Sequence, residues 1–311
     1  MIKHLVISGG GPTGLISFGA LKTLSQNNVW KLDNIETVWA SSIGGFIAIC
    51  VTLGYEWNVL DDYLLKRPWE KAFGNIKTDL MEVLNNKGID GEGIFHACML
   101  PLLKGKDLDE DITLKQYYEF NNIDLYLTTC ELNKSKPFEM EILSHKTHPD
   151  MTLIKALACT TAFPFMFRPM CIDEKAYLDG GILCNFPLSP CLEQENIDIN
   201  EVLGLRNVYE TLEYTPITKN IGFLEFARTL MRKTHKSLDT SSTEDYEGPY
   251  IIPFECSDCS DYSLWFQCIG DKELRESLVA RGESVTKQWM NDNNILIIEN
   301  KDNEEISSAS A

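Results

Sequence analysis

Ser42 stands where a serine can become a nucleophile. The apolar run Ile35 to Trp39 leads into Ala40-Ser41-Ser42-Ile43-Gly44, and Gly45 to Val51 then continues as an apolar helix. A strand, a cramped turn with a serine at its apex and a helix make up a nucleophile elbow. Small residues two positions before and after the serine let strand and helix approach closely. Ala40 and Gly44 hold those two positions. The usual pattern opens on glycine, so Ala40 is a small-for-small departure. Because x-x-S-x-G matches arise often by chance, the elbow needs support from elsewhere in the chain.

A second segment with chemistry lies at the amino terminus. His4-Leu5-Val6-Ile7-Ser8 reads as a short strand, Gly9-Gly10-Gly11-Pro12-Thr13-Gly14 follows at once, and Leu15 to Leu24 reads as a helix. Consecutive glycines expose backbone N–H groups and tolerate positive φ, so an anion can come close to the chain. The helix N-terminus adds a partial positive charge. Such a loop suits a phosphate, a pyrophosphate or the oxyanion of a tetrahedral intermediate. Gly9, Gly11 and Gly14 satisfy G-x-G-x-x-G, but a dinucleotide site also wants a carboxylate at the end of the second strand. Asp33 and Glu36 lie before or at its start, and its end carries Ala40-Ser41-Ser42. A P-loop is excluded because no Gly-Lys-Ser/Thr follows the glycines. The anion hole remains.

The third segment is Tyr177-Leu178-Asp179-Gly180-Gly181, continuing to Asn185-Phe186-Pro187. A carboxylate before two glycines and after a short apolar strand belongs to a loop. Alone, Asp-Gly is ordinarily just a β-turn. Upstream, Ala158 to Pro169 reads as a helix end running into a proline-bounded aromatic turn with Phe163, Phe165 and Phe167.

These four blocks, in this order, resemble the patatin-like phospholipase family over roughly residues 4 to 205. The resemblance implies a three-layer α/β/α fold with a central, mostly parallel sheet. It also implies a Ser–Asp dyad, Ser42 as nucleophile and Asp179 as base, with Gly9, Gly10, Gly11 and Gly14 building the oxyanion hole. The N–H groups of Gly10 and Gly11 are its expected donors, and Ala40, Gly44, Gly180 and Gly181 support elbow and loop. Ala40 departs from the family's glycine. Thr13 stands where many members carry Arg or Lys, so one positive charge near the hole is missing. The dyad has a chemical rationale: a serine hydroxyl is weakly nucleophilic until a neighbour takes its proton. An ordinary aspartate, ionising near about 3.9, is a poor base unless burial raises that value. A Ser-His-Asp triad in the hydrolase order needs a histidine after Asp179. His235 alone qualifies, within the basic stretch Arg232-Lys233-Thr234-His235-Lys236.

The elements that must position these groups read as α/β. Strand, helix, strand and elbow helix occupy residues 2 to 54, which suggests neighbouring parallel strands with right-handed crossovers. Residues 57 to 120 are mostly helical. Ile123 to Leu132 and Pro137 to Leu143 read as strands, Thr152 to Thr161 as a helix, and strands precede Asp179 and occupy Val202 to Leu205. The catalytic core is placed at 1–206, a helical or mixed extension packed on it at 207–299, and a disordered acidic tail at 300–311. Within the extension, Ile221 to Lys236 forms a basic amphipathic helix, read as core-packed or able to touch a membrane surface.

Composition narrows the class. The 311 residues are 44% hydrophobic, enough for one large core, and 46 acidic against 28 basic residues give a net charge of −18. That opposes nucleic-acid binding and simple adhesion to anionic membranes. No signal peptide and no transmembrane run is visible, and the ten cysteines are scattered, so a soluble cytoplasmic or other intracellular protein with reduced thiols is expected. Cys256-x-x-Cys259 and His145-x-x-His148 lack the partner pairs of a zinc site, so no metal is expected.

The expected function is a lipid acyl hydrolase of phospholipase A or lysophospholipase type acting on phospholipids or other glycerolipid esters. The resemblance implies no cofactor and independence of calcium; some members need a protein activator, and the residues leave open whether this chain does. Two other classes stay open: a catalytically weak patatin-like lipid-binding or effector protein, and a nucleotide-binding oxidoreductase.

Overall fold

The computed structural model describes residues 1–72, 83, 85–134, 138–194, 197–209, 216–238, 248–260 and 263–295. The acidic tail expected at 300–311, residues 239–247 of the polar stretch and residues 135–137 lie outside them.

Among the described residues eight strands form one sheet: β1 (His4–Ile7), β2 (Thr37–Ser41), β3 (Asp124–Glu131), β4 (Glu139–Leu143), β5 (Met170–Ile172), β6 (Lys175–Asp179), β7 (Val202–Val208) and β8 (Ile251–Glu255). Their order is β5-β6-β3-β2-β1-β7-β8, with β4 pairing on β3. The run from β3 through β2, β1 and β7 to β8 is parallel, while β4, β5 and β6 pair antiparallel. The helices are α1 (Gly14–Gln26), α2 (Ile43–Thr52), α3 (Trp57–Asp61), α4 (Trp69–Ala72), α5 (Gly91–Lys104), α6 (Leu114–Asn121), α7 (Leu153–Thr160), α8 (Leu188–Glu193), α9 (Phe223–Leu238), α10 (Ser263–Gly270) and α11 (Lys272–Asp292).

Strand alternation divides the side chains between two cores. Leu5, Val38 and Leu125 share one register row, and Ile7, Ala40 and Leu127 another. Both rows belong to the main core together with residues of α1 and α2. The row between them, Val6, Trp39 and Tyr126, enters a second core with Phe186 and Leu188. The Trp39 and Tyr126 rings stack there at 4.0 Å. A parallel sheet needs both faces covered. The result is the expected three-layer α/β/α arrangement.

The register of β3 has the largest consequence for the site. β2 pairs along Asp124 to Thr128 and ends with Ser41 opposite Thr128. β6 pairs along Thr129 to Glu131 and ends with Asp179 opposite Thr129. Since β4 pairs with Leu127 to Glu131 on the other edge, β2 and β6 share one edge of β3 and meet head to head. Their carboxyl ends face consecutive residues of the same strand.

Two strands were not anticipated from the residues, β5 and β8. β8 contains Pro253, which cannot donate to a ladder and is tolerated at a sheet edge; β8 is the edge strand beside β7. The segment beyond residue 206 also covers α1 through α11. A Cβ on Gly282 would lie 2.0 Å from the Ile16 carbonyl oxygen, and one on Gly19 2.3 Å from that of Val279. Only glycine lets these two helices approach so closely.

Candidate active site

Ser42 takes φ 52 and ψ −130 between β2 and α2. This sparsely populated conformation holds the serine at the apex of a sharp strand-to-helix turn. Gly44 makes the turn possible, because a Cβ there would come within 2.6 Å of the Ile7 carbonyl oxygen and 2.7 Å of that of Ser8. Ala40, fully buried in β2, fits where the elbow pattern usually has glycine. The Ser42 N–H donates to Thr160 Oγ1 at 2.9 Å, and that hydroxyl donates to the Thr128 carbonyl at 2.7 Å. The elbow is thereby tied to α7 and β3.

Ser42 Oγ donates to Asp179 Oδ2 at 2.6 Å, the length of a charge-assisted O–H···O bond. The other carboxylate oxygen, Oδ1, accepts the Gly181 N–H at 2.7 Å. Gly180 is needed for the close approach to β3, since a Cβ on it would sit 2.1 Å from the Thr128 carbonyl oxygen. Asp179 is 2% exposed. Burial lifts its pKa from 3.8 to about 7, against the opposing hydrogen bonds from Ser42 and Gly181. Asp179 is thus matched to accept a proton at neutral pH.

The glycine loop lies against this pair. A Cβ on Gly9 would be 2.8 Å from the Ser42 Cβ and 2.6 Å from Asn185 Oδ1. Gly10 and Gly11 have φ 144 and 59, values that favour glycine. The Gly9 N–H donates to the Asn185 carbonyl at 3.1 Å, and the Gly14 N–H donates back to Gly11. Their N–H groups are thus engaged within the loop and its support, and these two glycines shape the loop. No acceptor among the described residues takes the N–H of Gly10 or Gly11.

Several residues with no catalytic signature of their own hold the loop. Asn207 Nδ2, on β7, donates to the Gly9 carbonyl at 2.8 Å and to Thr13 Oγ1 at 2.7 Å. Thr13, fully buried, therefore braces the loop. Thr160 and Asn207 were missed as functional residues, because a lone Thr at a helix end or a lone Asn in a strand carries no spacing signal.

An apolar cavity of about 190 Å³ opens beside Ser42, walled by Ile43, Phe46, Ile47, Phe95, Phe167 and Trp265. Of the three phenylalanines of the aromatic turn, Phe167 lines this cavity. Phe165 is 63% exposed, and Phe163 packs against Trp265 with ring centroids 6.0 Å apart. The aromatic turn sends alternate rings to different surroundings.

The described histidines engage other partners. His4 Nδ1 bonds Thr37 Oγ1, His96 pairs with Glu110, His145 with Asp124 and His148 with Glu141. The side chain of His235 lies outside the described residues. No helix among the described residues is long and apolar enough to cross a membrane.

Known proteins resemble this chain. The family profile described as patatin-like phospholipase matches residues 5–192, which contain Ser42, Asp179 and all the loop glycines. Probable lipid hydrolase 463L of Invertebrate iridescent virus 6 is 27% identical over 206 residues, 62% of this chain and 64% of its own. Triacylglycerol lipase SDP1L of Arabidopsis thaliana is 25% identical over 170 residues, 53% of this chain and 19% of its own. The chain thus spans less than two thirds of the length of these relatives. Among solved structures, VipD from Legionella pneumophila superposes with a TM-score of 0.54 at 16% identity, covering 94% of this chain and 67% of that one; this likeness concerns the fold. With its profile matched over more than half of its length, the chain belongs to the patatin-like phospholipase family.

Proposed function

We propose that the chain is a lipid acyl hydrolase that cleaves carboxylic esters of glycerolipids, of phospholipase A or lysophospholipase type, through Ser42 and Asp179. The observation that carries this reading is the 2.6 Å bond from Ser42 Oγ to a buried carboxylate, next to a glycine loop with two N–H groups to offer.

In this reading Ser42 Oγ attacks the ester carbonyl carbon while Asp179 takes the hydroxyl proton. The carbonyl oxygen becomes an oxyanion and is held by the N–H groups of Gly10 and Gly11, each worth roughly 3 kcal/mol in related chemistry. Collapse breaks the bond to the alkoxy oxygen, which leaves as an alcohol with the proton from Asp179, and the acyl group stays on Ser42. Asp179 then accepts a proton from water, whose oxygen attacks the acyl carbon. The fatty acid departs and the proton returns to Ser42 Oγ. Every proton in this cycle passes through Asp179, so the proposal requires no cofactor and no calcium. The apolar cavity is the place for the acyl chain.

The test is hydrolysis of a phospholipid vesicle suspension and labelling by a fluorescent fluorophosphonate, with and without EDTA. Wild type should label and hydrolyse in both conditions, and Ser42→Ala should lose labelling and at least about 10⁴-fold in kcat/KM. Retained ester hydrolysis in Ser42→Ala would refute the proposal. Inactive wild type that responds to cell extract would add an activator, and no response to extract or vesicles would favour the lipid-binding alternative.

A further inference from the structure

The wall of the cavity beside Ser42 is completed by a side chain from beyond the residues that the family profile matches. Trp265 belongs to α10, which packs on residues 11–13 and on α4. A Cβ on Gly11 would lie only 2.1 Å from the Trp265 ring, so indole and glycine loop touch because residue 11 has no side chain. The Phe163 ring packs on the same indole. One turn further along α10, Cys268 lines the same cavity.

The size of this open-mouthed cavity matters here. It amounts to about 190 Å³. An apolar cavity of about 150 Å³ takes a benzene-sized ligand, and pockets for larger organic ligands run to about 300–1,000 Å³. An acyl segment of roughly six to eight carbons fills the present space. A longer chain gains further buried length only where the wall recedes, and the indole is part of that wall.

We propose that Trp265 is the specificity-determining residue for acyl-chain length, and that with Cys268 it tunes the site to short acyl groups. This rests on reading Ser42 as the residue that receives the acyl group.

The test compares kcat/KM for p-nitrophenyl hexanoate and dodecanoate in the full chain. Wild type should favour hexanoate. Trp265→Ala should raise the dodecanoate-to-hexanoate ratio by about tenfold or more, since each newly buried methylene is worth about fourfold. Trp265→Phe should fall between, and Cys268→Phe, which narrows the cavity from the same helix, should move the ratio the other way. A parallel fall on both esters with an unchanged ratio would mean that the indole only packs, and would overturn the proposal. Calorimetric binding of hexanoate and dodecanoate to Ser42→Ala, with and without Trp265→Ala, reads the same preference without turnover. A shifted binding preference, beside a wild type that hydrolyses neither ester with or without cell extract, would uphold Trp265 and remove the nucleophile reading. An unshifted preference overturns the proposal whether or not the esters are cleaved.

Discussion

Two carboxylates flank the same residue of the sheet and lead opposite lives. Thr129 of β3 has Asp179 of β6 opposite it on one edge and Glu141 of β4 opposite it on the other. Glu141 is met by a cation and an imidazole: Lys175 Nζ at 2.5 Å and His148 Nε2 at 3.2 Å. Burial, opposed by the charge of Glu141, lowers the pKa of His148. The described partners of Asp179 are a hydroxyl and a backbone N–H. With no cation among the described residues to hold its charge, burial dominates and pushes its pKa up to about 7. A buried carboxylate becomes a usable base when its neighbours solvate it without neutralising it, and becomes an anchor when they neutralise it.

The comparison can be broken most sharply at Asp179. Asp179→Asn keeps the shape and removes the base, so kcat/KM for ester hydrolysis should fall by about 10⁴-fold. The same change should stabilise the fold at alkaline pH. Folded Asp179 holds its proton to about pH 7, whereas unfolded it holds it only to 3.8. Its contribution is therefore fully present below 3.8 and lost as pH rises through 7. Asp179→Asn escapes that loss, and thermal melts at pH 8 should show a gain on the order of 2–4 kcal/mol that vanishes below pH 4. A variant that is inactive and also less stable at pH 8 would contradict the account of the raised pKa.

The wild-type pH profile sharpens the same point more gently. kcat/KM should fall about tenfold per pH unit below about 7 and level off above it. A limb centred near 4 would return Asp179 to an ordinary carboxylate.

The smallest effect is expected on the other side of Thr129. Glu141→Gln should leave kcat/KM within about twofold and cost no more than about 1 kcal/mol, because its Lys175 partner is 41% exposed and solvent-screened. Chemical denaturation and the hexanoate assay suffice to check it. A large loss of activity would mean that the two carboxylates are coupled through β3.

Legibility in the sequence followed the range of the constraint. The elbow and the glycine loop are local devices: Ser42 with Gly44, and Gly10 with Gly11, are forced by backbone geometry within a few residues, so residue type and spacing reveal them. The strands of the parallel run from β1 to β3 were legible for a similar reason, since burial on both faces gives each an unbroken apolar centre: Leu5 to Ile7, Val38 to Ala40 and Leu125 to Leu127. β8 escaped because Pro253 and its short length resemble a loop until β7 is there to pair with it. The residue types at 160, 207 and 265 have no local purpose. Thr160 acts only where α7 meets the elbow, Asn207 only where β7 passes the glycine loop, and Trp265 only where α10 crosses Gly11.

What the residues determined alone was therefore the chemistry available: a serine at a strained apex, a loop rich in exposed N–H groups, a carboxylate on a glycine turn. Their assembly was a tertiary decision. Ser42 and Asp179 are separated by 137 positions and meet because β2 and β6 abut along one edge of β3, a register that no local pattern encodes. The strength of the base was decided in the same way, because a carboxylate's pKa depends on the water it has lost and the charges it has not gained. Both are properties of the packed molecule and not of the residue.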